Sequence, residues 1–239
     1  MTKRVCAVVN IFYPEHSFSD NLLKNAKYLD KIFIMNNGFI GDIKDSIDYS
    51  INKKIKILDQ EKNYGVAKSF NNGIRESLKE KFDFIILLDQ DSEITSSINS
   101  ILNQVHANIG NKKMYFLNWN KSSFNNDSEN FHIAQPRETI SSGTILTKEI
   151  INDLGFMDET LCIDLVDTDY SLRAQSKEYE LMITDKLIME HEIGSPTNRT
   201  FFGMKIGSSG HNKKRIFFKS RNSVILYKRY FSCNHKSYS

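Results

Sequence analysis

The chain has 239 residues, of which 40% are hydrophobic and 26% carry a charge, proportions that are ordinary for a soluble globular protein. No apolar stretch is long enough to span a bilayer, and the N-terminus lacks the apolar run of a signal peptide. The three cysteines lie far apart without Cys-x-x-Cys spacing, which argues against a zinc site and for reduced thiols in a cytosolic compartment.

The basic residues are concentrated near the C-terminus. Residues 193–239 contain ten Lys or Arg and no Asp or Glu, which leaves 22 Lys or Arg against 29 Asp or Glu in residues 1–192. The net charge of +3 therefore combines a body of −7 with a tail of +10. Aromatic residues are interleaved with the basic ones, a composition that favours an anionic partner. Nucleic acid, a phosphate-bearing substrate and an anionic membrane surface all remain open from charge alone.

The first half of the chain alternates short apolar runs with helical patterns. The runs predict buried strands at residues 5–9, 31–35, 54–58 and 84–88. Helices are predicted at residues 18–29 and from the segment 63–73 to about residue 81. Strands that alternate with helices of this length predict right-handed βαβ units, and hence an α/β fold with a parallel sheet.

The second half is less regular. Its pattern predicts helices at 95–108, at 147–154 and from 164 to 176, strands at 114–119, 181–183 and 187–189, and a polar loop at 121–130. The strand-to-turn segment 140–144 leads into the second of these helices. The tail from about residue 215 to 230 again has helical periodicity.

Two aspartates follow the apolar run of residues 84–88, in the sequence Asp89-Gln90-Asp91-Ser92. Carboxylates at positions i and i+2 lie on one side of an extended chain, so both can bind one divalent cation. Ligands of open α/β sheets bind beyond the carboxyl ends of strands, and hard oxygen ligands near a diphosphate suit Mg²⁺ or Mn²⁺. The alternative is an acidic turn that ends the strand and caps the next helix.

The segment from Asn63 to Gly73 leads into a helix with small residues at alternate positions. Glycine permits a close approach of the backbone, and a helix N-terminus favours a bound anion. The spacing is neither a dinucleotide fingerprint nor a P-loop. The equally weighted alternative is an ordinary helix start with small residues for packing on the sheet.

A second acidic cluster contains Asp164, Asp167 and Asp169. Three carboxylates in six residues repel one another, so a cation, a general-base role or helix capping must compensate. Asp167 and Asp169 are both candidates for a general base, and Arg173 lies four residues after Asp169, where it can orient that carboxylate. His191 is a candidate ligand only if it reaches the cation of the first cluster, since Mn²⁺ accepts imidazole.

In this order the segments resemble glycosyltransferase family 2, inverting nucleotide-sugar enzymes of the GT-A fold. Among them they are most similar to the bacterial rhamnosyltransferase-like enzymes of cell-surface polysaccharide assembly. The resemblance runs from Val5 to about Phe231. The matching segments are Tyr13-Pro14, Asn36-Asn37-Gly38, Asn63 to Gly73, Asp89 to Ser92, Ser142-Gly143-Thr144, Asp164 to Arg173, His191 to Gly194, and Arg215 with Arg221-Asn222.

The resemblance implies an architecture as well as a family. The GT-A fold is a Rossmann-like, mostly parallel sheet flanked by helices. It would occupy residues 1–210, with a nucleotide-binding half at 1–92 and an acceptor-binding half at 93–210. Residues 211–239 would form a basic amphipathic helical segment, packed on the domain or placed at a membrane.

The resemblance also implies a role for each matching residue. Asp89, Asp91 and His191 would hold Mn²⁺ or Mg²⁺, and Asp167 would be the catalytic base. The implied nucleotide-binding residues are Asn10, Tyr13, Asn36, Asn63, Gly65, Ala67, Asn71, Asp89 and Gln90. The residues implied at the acceptor or its phosphate are Ser142, Gly143, Asp164, Asp169, Arg173, Arg215 and Arg221.

The implied reaction transfers a sugar, with a deoxyhexose such as rhamnose favoured, from a dTDP- or UDP-linked donor to a hydroxyl. The acceptor would be a growing cell-surface polysaccharide or a lipid-linked oligosaccharide. Such an enzyme is expected in the cytoplasm, with its basic tail in peripheral contact with the inner face of the membrane. A tail helix that carries Phe217, Val224 and Tyr227 also offers a surface for pairing with a second copy.

Three departures from the family pattern and two alternative functions accompany this interpretation. Asn36 replaces an aspartate that contacts the base, Asp169 replaces a glutamate, and Phe217-Phe218 replaces tyrosines. One alternative is a nucleotide-sugar-binding or membrane-associated protein of the same fold without catalysis. The other is a nucleotidyltransferase, which would carry a Gly-rich basic loop that residues 10–16 do not contain. Nucleic acid is not expected, because the positive charge is confined to the tail.

Overall fold

The computed structural model describes residues 3–14, 17–38, 43, 47–119, 128, 130–136, 138–191, 197–201, 204–208 and 213–232. For 197–201, 204–208 and residue 214 it describes the backbone. The predicted loop at 121–130 and the end of the basic tail lie almost wholly outside the described residues.

The described elements alternate between strands and helices over the first half of the chain. In chain order they are β1 (Val5–Ile11), α1 (Ser17–Asn25), β2 (Lys31–Asn36), β3 (Ile55–Asp59), α2 (Val66–Lys79), β4 (Phe84–Asp89), β5 (Glu93–Ile94), α3 (Asn99–Ala107), β6 (Lys113–Asn118), β7 (Phe131–Ile133), β8 (Thr144–Leu146), α4 (Lys148–Leu154), α5 (Val166–Ser176), β9 (Glu180–Leu187), β10 (Met189–Glu190), β11 (Thr197–Phe201), β12 (Met204–Ser208) and α6 (Lys213–Leu226). Two 3₁₀ turns, Tyr49–Lys54 and Glu159–Leu161, precede β3 and α5, and a π-helical turn, Tyr227–Phe231, continues α6.

Eight of these strands form one sheet in the order β3-β2-β1-β4-β8-β6-β9-β7. The first four are parallel, β8 is antiparallel to both its neighbours, β9 is parallel to β6, and β7 is antiparallel to β9. The chain moves outward from β1 to β2 and β3, then returns to the other side of β1 as β4. The carboxyl ends of β1 and β4 therefore flank the switch point at which ligand crevices open in such sheets.

Alternate residues of β1 pack into two separate cores. Val5, Ala7 and Val9 pack on the side of α1 and α3, whereas Cys6 and Val8 pack on the side of α2, α4 and α5. This division is the consequence of the two-residue period of a strand, and it explains why β1 and β4 are continuous apolar runs. Each fully buried large apolar side chain contributes about 1.5–3 kcal/mol to folding.

Gly73 permits α2 to lie close to the sheet. A Cβ atom at this position would lie 2.2 Å from Val8 Cγ1 and 2.9 Å from Met35 Sδ. No side chain fits at such distances, so a glycine is required where α2 crosses β1 and β2. For Gly73 the packing alternative of the sequence analysis is thus the one the structure supports.

The strands and helices predicted in the first half are present, with the end of α1 four residues earlier than predicted. In the second half the predicted helix at 95–108 begins only at Asn99, and the strands predicted at 181–183 and 187–189 become β9 and β10. The antiparallel insertion of β8, the edge strand β7 and the β11–β12 hairpin were not predicted. Within the described chain, no helix combines the length and the apolar character that a bilayer crossing requires.

Candidate functional site

A cluster of two carboxylates and one imidazole lies beyond the carboxyl end of β4. Asp89 is the last residue of β4, Asp91 lies in the turn that follows, and His191 follows β10. One potential ligand atom from each lies within 4.8 Å of the other two. Asp91 Oδ1 is 3.1 Å from His191 Nδ1, yet it is buried and makes no hydrogen bond of ordinary geometry. A cation would compensate for this orphaned oxygen, and the donor set suits Mn²⁺ or Mg²⁺.

The short β5–β10 ladder brings His191 to this cluster. It pairs Glu190 with Glu93, so that His191, which follows Glu190, faces Ser92, which precedes Glu93. Ser92 Oγ consequently lies 3.0 Å from His191 Nδ1. Two residues a hundred positions apart in the sequence thereby become neighbours at the end of the sheet.

Ser142 forms hydrogen bonds with residues at both ends of the turn that contains Asp91. Its Oγ is 2.7 Å from Ser92 Oγ and accepts a hydrogen bond from the backbone N–H of Asp89 at 3.2 Å. Gly143 follows at φ +86°, and its N–H donates to the carbonyl of Leu87. Ser142 is 1% exposed. The prediction that Ser142 contacts the acceptor or its phosphate is therefore corrected: this buried side chain holds in place the turn that carries the candidate cation ligands.

The charge environment connects this cluster with two residues from other elements. The pKa of Asp89 is raised to about 6, mainly by burial, and the charges of Asp91 and Asp167 contribute to this rise. The charges of His191 and Arg215 lower it. Asp167 and Arg215 thus lie near enough to Asp89 to act on its charge, and a bound divalent cation would compensate for the excess negative charge there.

Asp167 lies in the first turn of α5. Its Oδ1 accepts a hydrogen bond from the backbone N–H of Thr168 at 2.7 Å, whereas no other described residue donates a hydrogen bond to Oδ2. Burial is the main cause that raises the pKa of Asp167, opposed by the hydrogen bonds it accepts. A carboxylate with a raised pKa and an unengaged oxygen is suited to accept a proton from a substrate.

The backbone before α5 is strained. Cys162, Asp164 and Leu165 have φ values of 59°, 61° and 62°, in the left-handed region that non-glycine residues avoid at a cost of about 1–2 kcal/mol each. The buried side chain of Asn222 in α6 compensates: its Nδ2 lies 2.8–2.9 Å from three carbonyl oxygens of this loop. Arg215 Nε and Nη2 lie 3.1 Å from the carboxylate of Asp164. The C-terminal helix therefore fixes the segment that presents Asp167.

The N-terminus of α2 does not offer its first amides to an anion. The N–H groups of Val66 and Ala67 point to the carbonyl of Cys162, at 2.7 Å and 3.4 Å. Gly65 has φ +91°, and a Cβ there would lie 2.7 Å from the same carbonyl oxygen. The anion-binding interpretation of Gly65 and Ala67 is corrected, because the loop before α5 occupies the helix end.

Asn71 likewise has a structural role instead of the predicted nucleotide contact. It has no exposed surface, and its Oδ1 accepts from the N–H of Met157 at 3.0 Å. Its Nδ2 donates to the carbonyl of Met157 and to Glu159 Oε1. Asn71 therefore anchors the loop after α4 on α2, and Asn63 Oδ1 caps its own turn by accepting from the N–H of Gly65.

Asp169 and Arg173 form a buried ion pair and not an acceptor site. Asp169 has no exposed surface, and its Oδ2 lies 2.5 Å from Arg173 Nη2. Its Oδ1 contacts Arg229 and accepts from the hydroxyl of Tyr230 at 2.8 Å. Because every oxygen of Asp169 is engaged, this carboxylate cannot serve as the general base, and Asp167 remains the candidate.

Arg221 also differs from its predicted role at a phosphate. Its guanidinium donates to the carbonyl of Thr160 and to Asn222 Oδ1, and it lies over the ring of Phe218. These contacts orient Asn222, so Arg221 supports the loop before α5 from behind.

The ends of β1, β2 and β3 carry the predicted nucleotide-binding side chains. Asn36 lies opposite Ile11 on one side and Asp59 on the other, and its Nδ2 donates to Asp59 Oδ1 at 2.9 Å. Asp59, which the sequence analysis missed, restores a carboxylate beside the position where the family has aspartate. Asn10 is buried and accepts a hydrogen bond from Ser69 on α2.

An aromatic pair follows β1 at the switch point. Gln90 Oε1 accepts from the N–H of Phe12 at 2.8 Å, and Gln90 Nε2 donates to the carbonyl of Tyr13. The rings of Phe12 and Tyr13 meet edge to face at 4.6 Å, and both are well exposed. Gln90 thus connects the aromatic loop to the turn that contains Asp91, in an arrangement suited to stacking a base.

Several site residues carried no signal in the sequence. Ser92 and Asn222 were quoted only as parts of longer motifs, and Arg229 and Asp59 were not singled out. Each acts through a partner that is 20 to 100 positions away, so only the folded topology reveals it. Trp119, the single tryptophan, was also missed; its ring lies edge-on to His191 with centroids 5.9 Å apart.

Comparison with known proteins decides the family. The model for "Glycosyl transferase family 2" matches residues 18–145, more than half of the chain. The chain belongs to glycosyltransferase family 2. The sequence is also 28% identical over 245 residues to "dTDP-rhamnosyl transferase RfbF" of Shigella flexneri, covering 95% of this chain and 80% of that protein.

Solved structures share the GT-A fold with this family member. S. aureus TarS matches with a TM-score of 0.58 at 15% identity, over 80% of this chain and 37% of that one. GalNAc-T7, solved with UDP, GalNAc and Mn²⁺, matches with a TM-score of 0.60 at 14% identity, over 79% of this chain and 44% of that one. The chain thus spans less than half the length of either structure, and at these identities the likeness establishes the fold.

Proposed function

We propose that this protein is an inverting glycosyltransferase that moves a sugar from a nucleotide-diphosphate donor to an acceptor hydroxyl. One observation carries the proposal. A candidate cation-binding pair, Asp89 and Asp91, lies at the switch point of a GT-A sheet, and Asp167, whose Oδ2 accepts no hydrogen bond from another described residue, lies near enough to act on the charge of Asp89. Inverting transfer needs these two groups, one at the leaving diphosphate and one at the attacking hydroxyl.

In the proposed mechanism Asp89, Asp91 and His191 would hold Mn²⁺ or Mg²⁺, and that ion supplies neutralisation of the departing diphosphate. Asp167 takes the proton of the acceptor hydroxyl on Oδ2. The hydroxyl oxygen attacks the anomeric carbon from the face opposite the diphosphate, so the bond to the phosphate oxygen breaks and the configuration inverts. Arg215 adds a positive charge to the cleft, where the diphosphate develops charge.

The donor we propose is a dTDP- or UDP-linked deoxyhexose such as rhamnose. The relative from Shigella flexneri is named for dTDP-rhamnose transfer and covers almost the whole chain. Thymine and uracil both present an imide N–H, for which Asp59 and Asn36 offer oxygen acceptors at the end of the sheet. The acceptor proposed is a hydroxyl of a growing polysaccharide or lipid-linked oligosaccharide on the cytoplasmic side of the membrane.

The test compares Asp167→Asn with Asp153→Asn. Asp153 is a half-exposed carboxylate on α4 that pairs with Lys112 and Lys177. Loss of the base should lower transfer by about 10²–10⁴-fold, because general-base catalysis contributes that much. The thermal shift produced by dTDP with Mn²⁺ should stay as in the wild type, and Asp153→Asn should retain full activity. Full activity of Asp167→Asn would refute the assignment of the base. Absence of any metal-dependent shift by dTDP or UDP would refute the donor class.

A further inference from the structure

The C-terminal helix α6 and its π-helical continuation pack on the domain through Leu226 and several polar side chains, and they leave a set of large apolar side chains exposed on the other face. Arg215, Asn222 and Arg229 face the domain, where they bind the loop before α5 and the N-terminal part of α5. The opposite face presents large apolar side chains with exposed fractions of 52–63%. These side chains are Ile216, Phe217, Val224, Tyr227 and Phe231.

This outward face is an exception on the protein surface. Ten large hydrophobic side chains are exposed in the described residues, and five of them lie on this single helical segment. At 3.6 residues per turn they cover about a third of the helix circumference, so they form one stripe. Single exposed apolar residues are ordinary, whereas a contiguous stripe indicates a surface that a membrane or another protein covers.

The charges beside the stripe identify what covers it. Lys219 and Lys228 are exposed along its two sides and Lys213 at its N-terminal end, and residues 193–239 contain no acidic side chain. An aromatic stripe bordered by lysines matches the boundary between anionic headgroups and acyl chains, where Phe and Tyr side chains enter and lysines meet phosphate. A second copy of the chain would instead bring its own positive charge against these lysines.

We propose that this outward face of α6, which we call the apolar stripe, docks on an anionic lipid bilayer. The same helix would then connect the membrane with the catalytic loop, because Asn222 on its inner face holds the backbone before Asp167. A groove of about 680 Å³ continues from Tyr227 and Phe231 to Leu165 and Thr168, next to the base. This groove places a membrane-borne acceptor within reach of Asp167, a use that rests on the proposed function.

The experiment measures co-sedimentation of the full chain with vesicles of phosphatidylcholine, alone or mixed with phosphatidylglycerol. Wild type should pellet with the mixed vesicles, and less so at high salt. Phe217→Ser/Tyr227→Ser should weaken the partition coefficient at least about tenfold, because two aromatic rings no longer enter the bilayer. Lys219→Glu/Lys228→Glu should weaken it by at least roughly 30-fold, from about fivefold per lysine lost. Tyr49→Ser, which removes another exposed aromatic ring, is the matched control and should bind as wild type.

Three results would overturn the proposal. They are equal binding to neutral vesicles, unchanged binding of both double variants, and a dimer in solution that Phe217→Ser/Tyr227→Ser converts to monomers while vesicle binding stays the same. Vesicle binding requires neither metal nor donor, so Asp167→Asn should pellet as wild type does. A failure of the docking surface is therefore distinguishable from a failure of the transfer reaction.

Discussion

Asp169→Asn should destabilise the protein, although the neighbouring Asp167→Asn should not. Asp169 is fully buried and its carboxylate joins Arg173, Arg229 and Tyr230. An amide keeps one acceptor but turns an N–H₂ toward a guanidinium, which leaves a buried donor facing another donor. Breaking a buried ion pair costs about 3–5 kcal/mol. The side chains of Arg173 and Arg229 are 21% and 38% exposed, so water can solvate both guanidinium groups after the substitution. We therefore expect the free energy of unfolding to fall by about 2–3 kcal/mol.

The assay is thermal and urea unfolding of both variants with the wild type. For a chain of this size a loss of 2–3 kcal/mol lowers Tm by about 5–10 °C. Asp167→Asn should lose no stability at neutral pH, because the raised pKa of Asp167 means that the fold disfavours its ionised form. Asp153→Asn, which removes a half-exposed carboxylate paired with two lysines at the surface, should cost below about 1 kcal/mol. An Asp169→Asn variant that melts within about 2 °C of the wild type would refute this reasoning.

Two further predictions concern the cation site and the sheet. Burial is the main cause that raises the pKa of Asp89 to about 6. In the folded protein without metal, this carboxyl group is therefore protonated between about pH 4 and pH 6, where a free aspartate is ionised. The ionised form, which binds metal, is lost as the pH falls through 6. Mn²⁺ affinity measured by calorimetry should accordingly fall at least about tenfold between pH 7 and pH 5, and a pH-independent affinity would contradict the burial of this carboxylate. Gly73→Ala should destabilise the protein by about 3 kcal/mol through contact with Val8, although Gly→Ala in a helix normally stabilises. In urea unfolding, Gly73→Ala should lower the free energy of unfolding less in the Val8→Ala background than in the wild type, because Val8→Ala removes the methyl group that the new Cβ meets. Equal losses in the two backgrounds would contradict a clash.

The half of the fold that precedes Asp89 could be predicted from the sequence because local pattern and tertiary role agree there. Residues 5–9 of β1 and 84–88 of β4 are apolar at every position, as expected for strands with helices on both faces. β8 gave no such signal, since it has only three residues and lies antiparallel between two longer strands. Its position depends on pairing partners distant in sequence, which no local period encodes.

The residues of the candidate site were likewise predictable only where their position depends on local sequence. Asp89 and Asp91 were predictable because both belong to one strand end, and a strand end has a known relation to the ligand crevice. His191 could be proposed but not placed, since its approach depends on the pairing of Glu190 with Glu93. Asp169 was misjudged as a candidate base because a sequence shows the density of carboxylates and not which of them is buried against arginines.

The three carboxylates before and within α5 show how one acidic cluster serves three purposes. Asp164 is held by Arg215, Asp169 is sealed by two arginines and a tyrosine, and only Asp167 keeps an unengaged oxygen. All the positive partners of the outer two, except Arg173, come from the C-terminal helix. That helix therefore neutralises the charges that would otherwise repel Asp167 and leaves the base as the one uncompensated carboxylate of the cluster. The strained backbone at residues 162–165 persists because the same helix supplies Asn222. Basic side chains of the tail thus stabilise the candidate site before any anionic partner binds, and the proposed membrane contact uses the other face of the same helix.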